Sequence, residues 1–188
     1  MNVDIDECPA TSAALATLVR APNVRTLGLG TDRYMGDTFE ALTGLFDFDL
    51  GKVTYLDVSR VTDLDLDWED IIPTFSALET FSIDLSHVDI LHVPTIPNSI
   101  TALRIDLSGS TPEGLSLMSE VSAILSEVLK PRKSLPNLRT IRFTDPTIDL
   151  AKLVEVSLIT AEVVQLCKDR GIELDARPPA TRATENDI

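Results

Sequence analysis

Five times along this chain an apolar residue is followed three positions later by a second, and two positions after that by a third. The frame stands at Val24-Leu27-Leu29, Val53-Leu56-Val58, Leu78-Phe81-Ile83, Ile100-Leu103-Ile105 and Leu138-Ile141-Phe143. Its last two members alternate with polar or small residues, which is the period of a short strand with one buried face. One such strand cannot cover its own apolar side, so the copies are expected to stack in parallel and bury together what each alone would expose. Two copies lie in near-identical stretches, APNVRTLGL from Ala21 to Leu29 and LPNLRTIRF from Leu135 to Phe143.

The copies start 29, 25, 22 and 38 residues apart. The first three intervals fall in or at the edge of the range of leucine-rich repeats, and the fourth is long enough to hold an extra helix. GIELDA, Gly171 to Ala176, offers a sixth strand with Ile172 and Leu174 turned inward. The expected fold class is therefore α/β: a right-handed, leucine-rich-repeat-like solenoid with a parallel sheet of about six strands and helices on the outer side. Its rival is a compact α/β domain with shuffled strand order. Residues 1–10 read as a frayed N-terminus, residues 11–176 as one degenerate repeat domain, and residues 177–188 as a polar, proline-bearing disordered tail.

Helix signals fill the connections. Ser12 to Val19 reads as a first helix, and Asp37-Thr38-Phe39-Glu40 as an acidic cap ahead of Ala41, Leu42, Leu45 and Phe46. Asp65 to Phe75 supports only a short turn, because Pro73 stops it. The longest stripe, Leu117, Val121, Ile124, Leu125, Val128 and Leu129, begins after Thr111-Pro112. From Asp149 to Arg170 the pattern is helical, with a break near Ser157 to Thr160 and Gly171 placed to end it.

Charge narrows the partners. With 30 acidic against 16 basic side chains the net charge is −14, which repels phosphate backbones and anionic bilayers. The expectation is a protein or peptide partner, neutral or basic overall, with no nucleic acid and no membrane. No apolar run approaches the roughly 18 residues that a membrane span requires, and the opening MNVDIDE is acidic where a signal peptide is basic. Cys8 and Cys167, at opposite ends of the chain, fit a reducing, intracellular setting. The chain is read as monomeric.

Sites of chemistry are weakly marked. Asp63-x-Asp65-x-Asp67 opens like a calcium loop, but Trp68 stands where the turn needs Gly and Thr74 where a bidentate Glu belongs. His87 and His92 are five apart, which suits neither a helix face nor strand alternation, so no metal site is expected. There is no Gly-x-Ser-x-Gly and no phosphate-cradling glycine run. The expected function is non-catalytic, without cofactor; a small acidic hydrolase is the alternative.

What the frame does single out is the row of strand positions that alternation turns away from the core. These are Thr26 and Gly28, Tyr55 and Asp57, Thr80 and Ser82, Ala102 and Arg104, Thr140 and Arg142, continued by Ser59, Asp84, Asp106 and Thr144. From them Tyr55, Asp57, Ser82, Asp84, Arg104, Asp106 and Arg142 are taken as the partner-binding face. Tyr and Arg are residue types favoured at binding hot spots. The bland alternative is that Arg104 and Arg142 pair with Asp84 and Asp106 on neighbouring strands. A second candidate surface is the acidic stretch DLDLDWED, Asp63 to Asp70.

The irregular frame, LPNLRTIRF and the closing LCKDRGIELDA, Leu166 to Ala176, together resemble the leucine-rich-repeat C-terminal region of fungal F-box proteins. In that family an N-terminal F-box docks on the Skp adaptor of a cullin-based ubiquitin ligase and the repeats recruit substrate. The resemblance therefore implies a substrate-recruiting repeat region or an orphaned relative of one. Only 23 residues precede Val24, too few for an F-box, so no residue here takes the adaptor-docking role. The Asn usual in the repeat's turn is replaced by Asp32, Val61, Ser86, Ser108 and Pro146, from which irregular curvature is expected.

Overall fold

The computed structural model describes residues 2–5, 24–30, 50–60, 68–92, 96–107, 118–130, 135–144, 150–155 and 158–176. Seven strands form one all-parallel sheet whose lateral order is the order of the chain. They are β1 (Asn2–Ile5), β2 (Thr26–Gly30), β3 (Tyr55–Arg60), β4 (Thr80–Asp84), β5 (Ala102–Asp106), β6 (Thr140–Thr144) and β7 (Glu173–Ala176). Strands β2 to β6 are the five anticipated by the frame, and β7 lies within GIELDA, the sixth strand expected. The N-terminal strand is a correction: Asn2–Ile5, assigned to a frayed terminus, pairs in register with Thr26–Leu29. NVDI lacks the first apolar residue of the frame, and its pairing depends on the ladder that β2 offers.

The register aligns the frame across the sheet. Leu27, Leu56, Phe81, Leu103, Ile141 and Leu174 face one another in succession from β2 to β7. The first five of these are buried, as are Val24, Val53, Leu78, Ile100 and Leu138 at the head of each frame. At the third position Val58, Ile83, Ile105 and Phe143 are buried too. Stacking identical apolar rows at about 4.8 Å spacing closes each side chain between its neighbours.

The stretch before each strand explains the recurring turn residues. Val53, Leu78, Ile100 and Leu138 each donate a backbone N–H to the carbonyl three residues earlier, on Leu50, Phe75, Pro97 and Leu135. One carbonyl per copy then receives two N–H groups from the next: Arg25 from Thr54 and Tyr55, Thr54 from Glu79 and Thr80, Glu79 from Thr101 and Ala102, Thr101 from Arg139 and Thr140. Pro136-Asn137 occupies the centre of the turn before β6, where proline presets φ. The Asn137 side chain donates to the Asn98 carbonyl at 2.8 Å, tying adjacent copies together.

Helices cover the frame side. Helix α1 (Trp68–Ile71) passes into a 3-10 turn (Ile72–Thr74) that contains Pro73. A longer 3-10 segment, Leu85–His92, kinks at His87. Helix α2 (Met118–Leu129) packs against that segment and against α4 (Ala161–Arg170), with α3 (Leu150–Glu155) preceding α4. Val121, Leu125, Val128, Leu129, Leu153, Val163 and Cys167 join the strand residues in one core. The break expected near Ser157 to Thr160 is present at residues 158–160: Thr160 is the N-cap of α4, its hydroxyl accepting from Val163 N at 3.4 Å. Ser122 Oγ in α2 accepts from Thr160 N at 3.0 Å, which locks the cap to the neighbouring helix.

Arg170 fastens the last turn of α4 to two other elements, donating to the carbonyls of Leu129 at 3.2 Å and Leu135 at 2.6 Å. Leu135 has a φ of 62°, a left-handed conformation that a leucine adopts only when its surroundings hold it there. Gly171 ends α4 at φ 67°, and a Cβ built there would meet nothing within 4 Å. Gly171→Ala is therefore expected to cost about 1 kcal/mol, all of it conformational. Urea unfolding measures it; an unchanged midpoint would mean that the turn relaxes freely.

The helices expected at Ser12 to Val19 and at Asp37 to Phe46, and the tail 177–188, lie outside the described residues. No helix among the described residues is long and apolar enough to cross a membrane.

Candidate functional site

Strand alternation leaves the other sheet face half-exposed: β3, β5 and β6 all repeat a partly exposed, buried, partly exposed rhythm. The register fixes which outward side chains are neighbours. Gly28, Asp57, Ser82, Arg104, Arg142 and Asp175 form one row across β2 to β7. Thr26, Tyr55, Thr80, Ala102, Thr140 and Glu173 form the row beside it. Asp84, Asp106 and Thr144 begin a third at β4 to β6.

All seven residues taken from the sequence as the binding face thus belong to one side of one sheet, and Tyr55 gathers three of the others, Asp57, Ser82 and Arg104. The Tyr55 hydroxyl donates to Asp57 Oδ2 at 3.4 Å and accepts from Arg104 Nη1 at 3.4 Å. The Arg104 guanidinium also lies 5.3 Å from the centroid of the Tyr55 ring, within range of a cation–π contact. Tyr55 on β3 and Arg104 on β5 can meet only by reaching across β4. That bridge covers Ser82, an outward residue that is nonetheless buried. Burial, then the Asp57 carboxylate, push the Tyr55 phenol above its ordinary value, against the opposing influence of Arg104 and Ser82. The phenol is accordingly neutral at physiological pH and able to donate and accept at once.

Asp57 and Asp84 on this face are used by serines of their own chain segments. Among the described residues Asp84 meets no arginine; its Oδ1 accepts from Ser86 N at 2.8 Å and from Ser86 Oγ at 2.6 Å. Asp57 Oδ1 does the same for Ser59 N at 3.0 Å and Ser59 Oγ at 2.7 Å. Two Asp-x-Ser stretches therefore bond within their own chain, Asp57 to Ser59 inside β3 and Asp84 to Ser86 where β4 ends. Arg142 finds its carboxylate on the following strand, with Nε 3.1 Å from Asp175 Oδ2. Asp175 was missed because GIELDA was read only for its inward residues; its alternation with Leu174 was the available signal. Its side chain is 8% exposed against 39% for Arg142, so the acid is the buried member of the pair.

Of the acidic stretch Asp63 to Asp70, only Trp68, Glu69 and Asp70 are described; the tryptophan is buried and the two acids exposed. Asp63, Asp65 and Asp67 lie outside the described residues. His87 is buried, with neither ring nitrogen hydrogen-bonded among the described residues. His92 is exposed. No group of three or more His, Cys, Asp or Glu side chains among the described residues is placed to hold a metal ion. Cys167 is a buried free thiol, raised above its ordinary value by burial and only partly drawn back by Arg170, which makes it a poor nucleophile. Cys8 lies outside the described residues.

Comparison with protein-family models, with curated proteins and with solved structures finds no match to this chain.

Proposed function

We propose that this chain is a non-catalytic protein-interaction module, a leucine-rich-repeat-like solenoid that receives a protein or peptide partner on its half-exposed sheet face. The observation that carries the reading is the bridge of Tyr55 over β4 to Arg104, which sets a large aromatic and a guanidinium among small outward neighbours. The other outward neighbours, Gly28 and Ala102 with the threonines at 26, 80 and 140, are small, so the bridge is the largest group presented by these two rows on β2 to β5. Parallel stacking in chain order supports the solenoid, because a compact doubly wound domain reorders its strands. The resemblance to fungal F-box proteins extends the reading to a substrate-recruiting region of a ubiquitin ligase component, or an orphaned relative of one.

Affinity capture followed by quantitative binding tests this. The expected outcome is a partner whose affinity falls by more than about 1 kcal/mol when Tyr55 and Arg104 are both replaced by alanine. The matching control replaces Asp65 and Asp67 by asparagine. Should the control abolish binding while the first variant binds normally, the acidic stretch is the docking surface. Robust turnover of a generic ester, glycoside or phosphate substrate, lost on mutation of one carboxylate, would replace the module by a hydrolase.

A further inference from the structure

Arg104 and Arg142 sit directly opposite one another on adjacent strands. Like charges in that relation, on strands about 4.8 Å apart, repel and weaken the sheet. In a chain with nearly twice as many acids as bases the arrangement is a cost that composition does not force. Only one of the two is neutralised: Arg142 pairs with Asp175. Arg104 has a long hydrogen bond to a phenol and the face of its ring, and among the described residues it meets no carboxylate.

The acids nearest in the pattern are the converse. Asp57, two strands from Arg104, spends its oxygens on Ser59 and Tyr55, and Asp84, on the adjoining strand, accepts from Ser86. Neither meets a cation among the described residues. Among the described residues the face thus carries a positive centre that no carboxylate touches, with Asp57 joined to it through the shared Tyr55 hydroxyl, at most about 7 Å away, and Asp84 on the adjoining strand. An extended peptide covers such distances in two or three residues.

We infer that Arg104, backed by Arg142, is a carboxylate subsite of the docking face, and that the partner is an extended peptide segment whose Asp or Glu seats there while Lys or Arg two or three residues away faces Asp57 and Asp84. The inference rests on the docking reading above and adds the partner's chemistry. Basic flanks also reconcile an acidic anchor with a net charge of −14, since they supply the long-range attraction and the anchor supplies the register.

Selection of a displayed random dodecapeptide library on the whole chain tests it. On the wild-type protein the selected peptides are expected to share one acidic position flanked by basic ones. On Arg104→Glu the same position is expected to turn basic. A synthetic peptide from the first selection should bind Arg104→Met about tenfold or more weakly, while that variant unfolds at a urea midpoint no lower than wild type, because relief of the repulsion offsets the lost ring contact. Selected peptides that lack a fixed acidic position, or that bind Arg104→Met equally well, overturn the carboxylate subsite. If those peptides still lose affinity on Tyr55→Ala, the docking face survives without it. Peptides indifferent to both substitutions, or no selected peptides at all, overturn both.

Discussion

Leu103→Ala and Ile141→Ala are each expected to lower the stability of the chain by roughly 2–5 kcal/mol. Both side chains belong to the apolar row that runs through every strand from β2 to β7, and each is packed between two others: Leu103 between Phe81 and Ile141, Ile141 between Leu103 and Leu174. Leu103 is 1% exposed and Ile141 fully buried, so truncation exposes nothing and leaves a cavity. Neighbours held by the parallel ladder on both sides have little freedom to collapse into it. Thr140→Ala, one residue away on the outward face, should by contrast move stability by no more than about 0.5 kcal/mol. Urea denaturation followed by circular dichroism compares the three. Core variants that unfold together with wild type would mean that the aligned rows are not what holds the sheet.

The second large effect is expected from Arg142→Met, at about 1–3 kcal/mol. Its charge is half-exposed and by itself dispensable; the cost arises because the Asp175 carboxylate stays behind with 8% exposure and loses its cation. Arg104→Met should not show this loss, since no carboxylate depends on Arg104 among the described residues. The pair of arginines is thereby split into a structural member and a recognition member. A double-mutant cycle of Arg142→Met with Asp175→Leu isolates the pairing from the other contacts of Asp175. Equal destabilisation by Arg104→Met and Arg142→Met would contradict the assignment. The cycle also bears on binding assays: only Arg104 can be truncated there without disturbing the fold.

Much of the architecture was legible because burial leaves a period. Each frame asked for two alternate apolar residues after a fixed gap, and the five copies could be read one at a time without knowing how they stack. The break before Thr160 and the stop at Gly171 were legible for the same local reason: a hydroxyl that caps and a residue that tolerates positive φ act within one turn of chain. The strand at Asn2–Ile5 was not, since four residues have almost no periodicity of their own and pair only because β2 presents a free ladder. The 3-10 segment Leu85–His92 was also missed, having no helical stripe to announce it.

The face of the candidate site followed from alternation alone, but its connections did not. Sequence separates Tyr55 from Arg104 by 49 residues and Arg142 from Asp175 by 33, and no local rule says which acid a given arginine will choose. Asp84 was an equally reasonable partner until the register placed Asp175 beside Arg142 and the serine at 86 claimed Asp84. Which side of the sheet each residue occupies was thus determined by the sequence itself, because the strand period is a property of the backbone. Which outward side chains meet was decided only by tertiary structure, because lateral register and rotamer choice are settled by the packing of whole strands against one another.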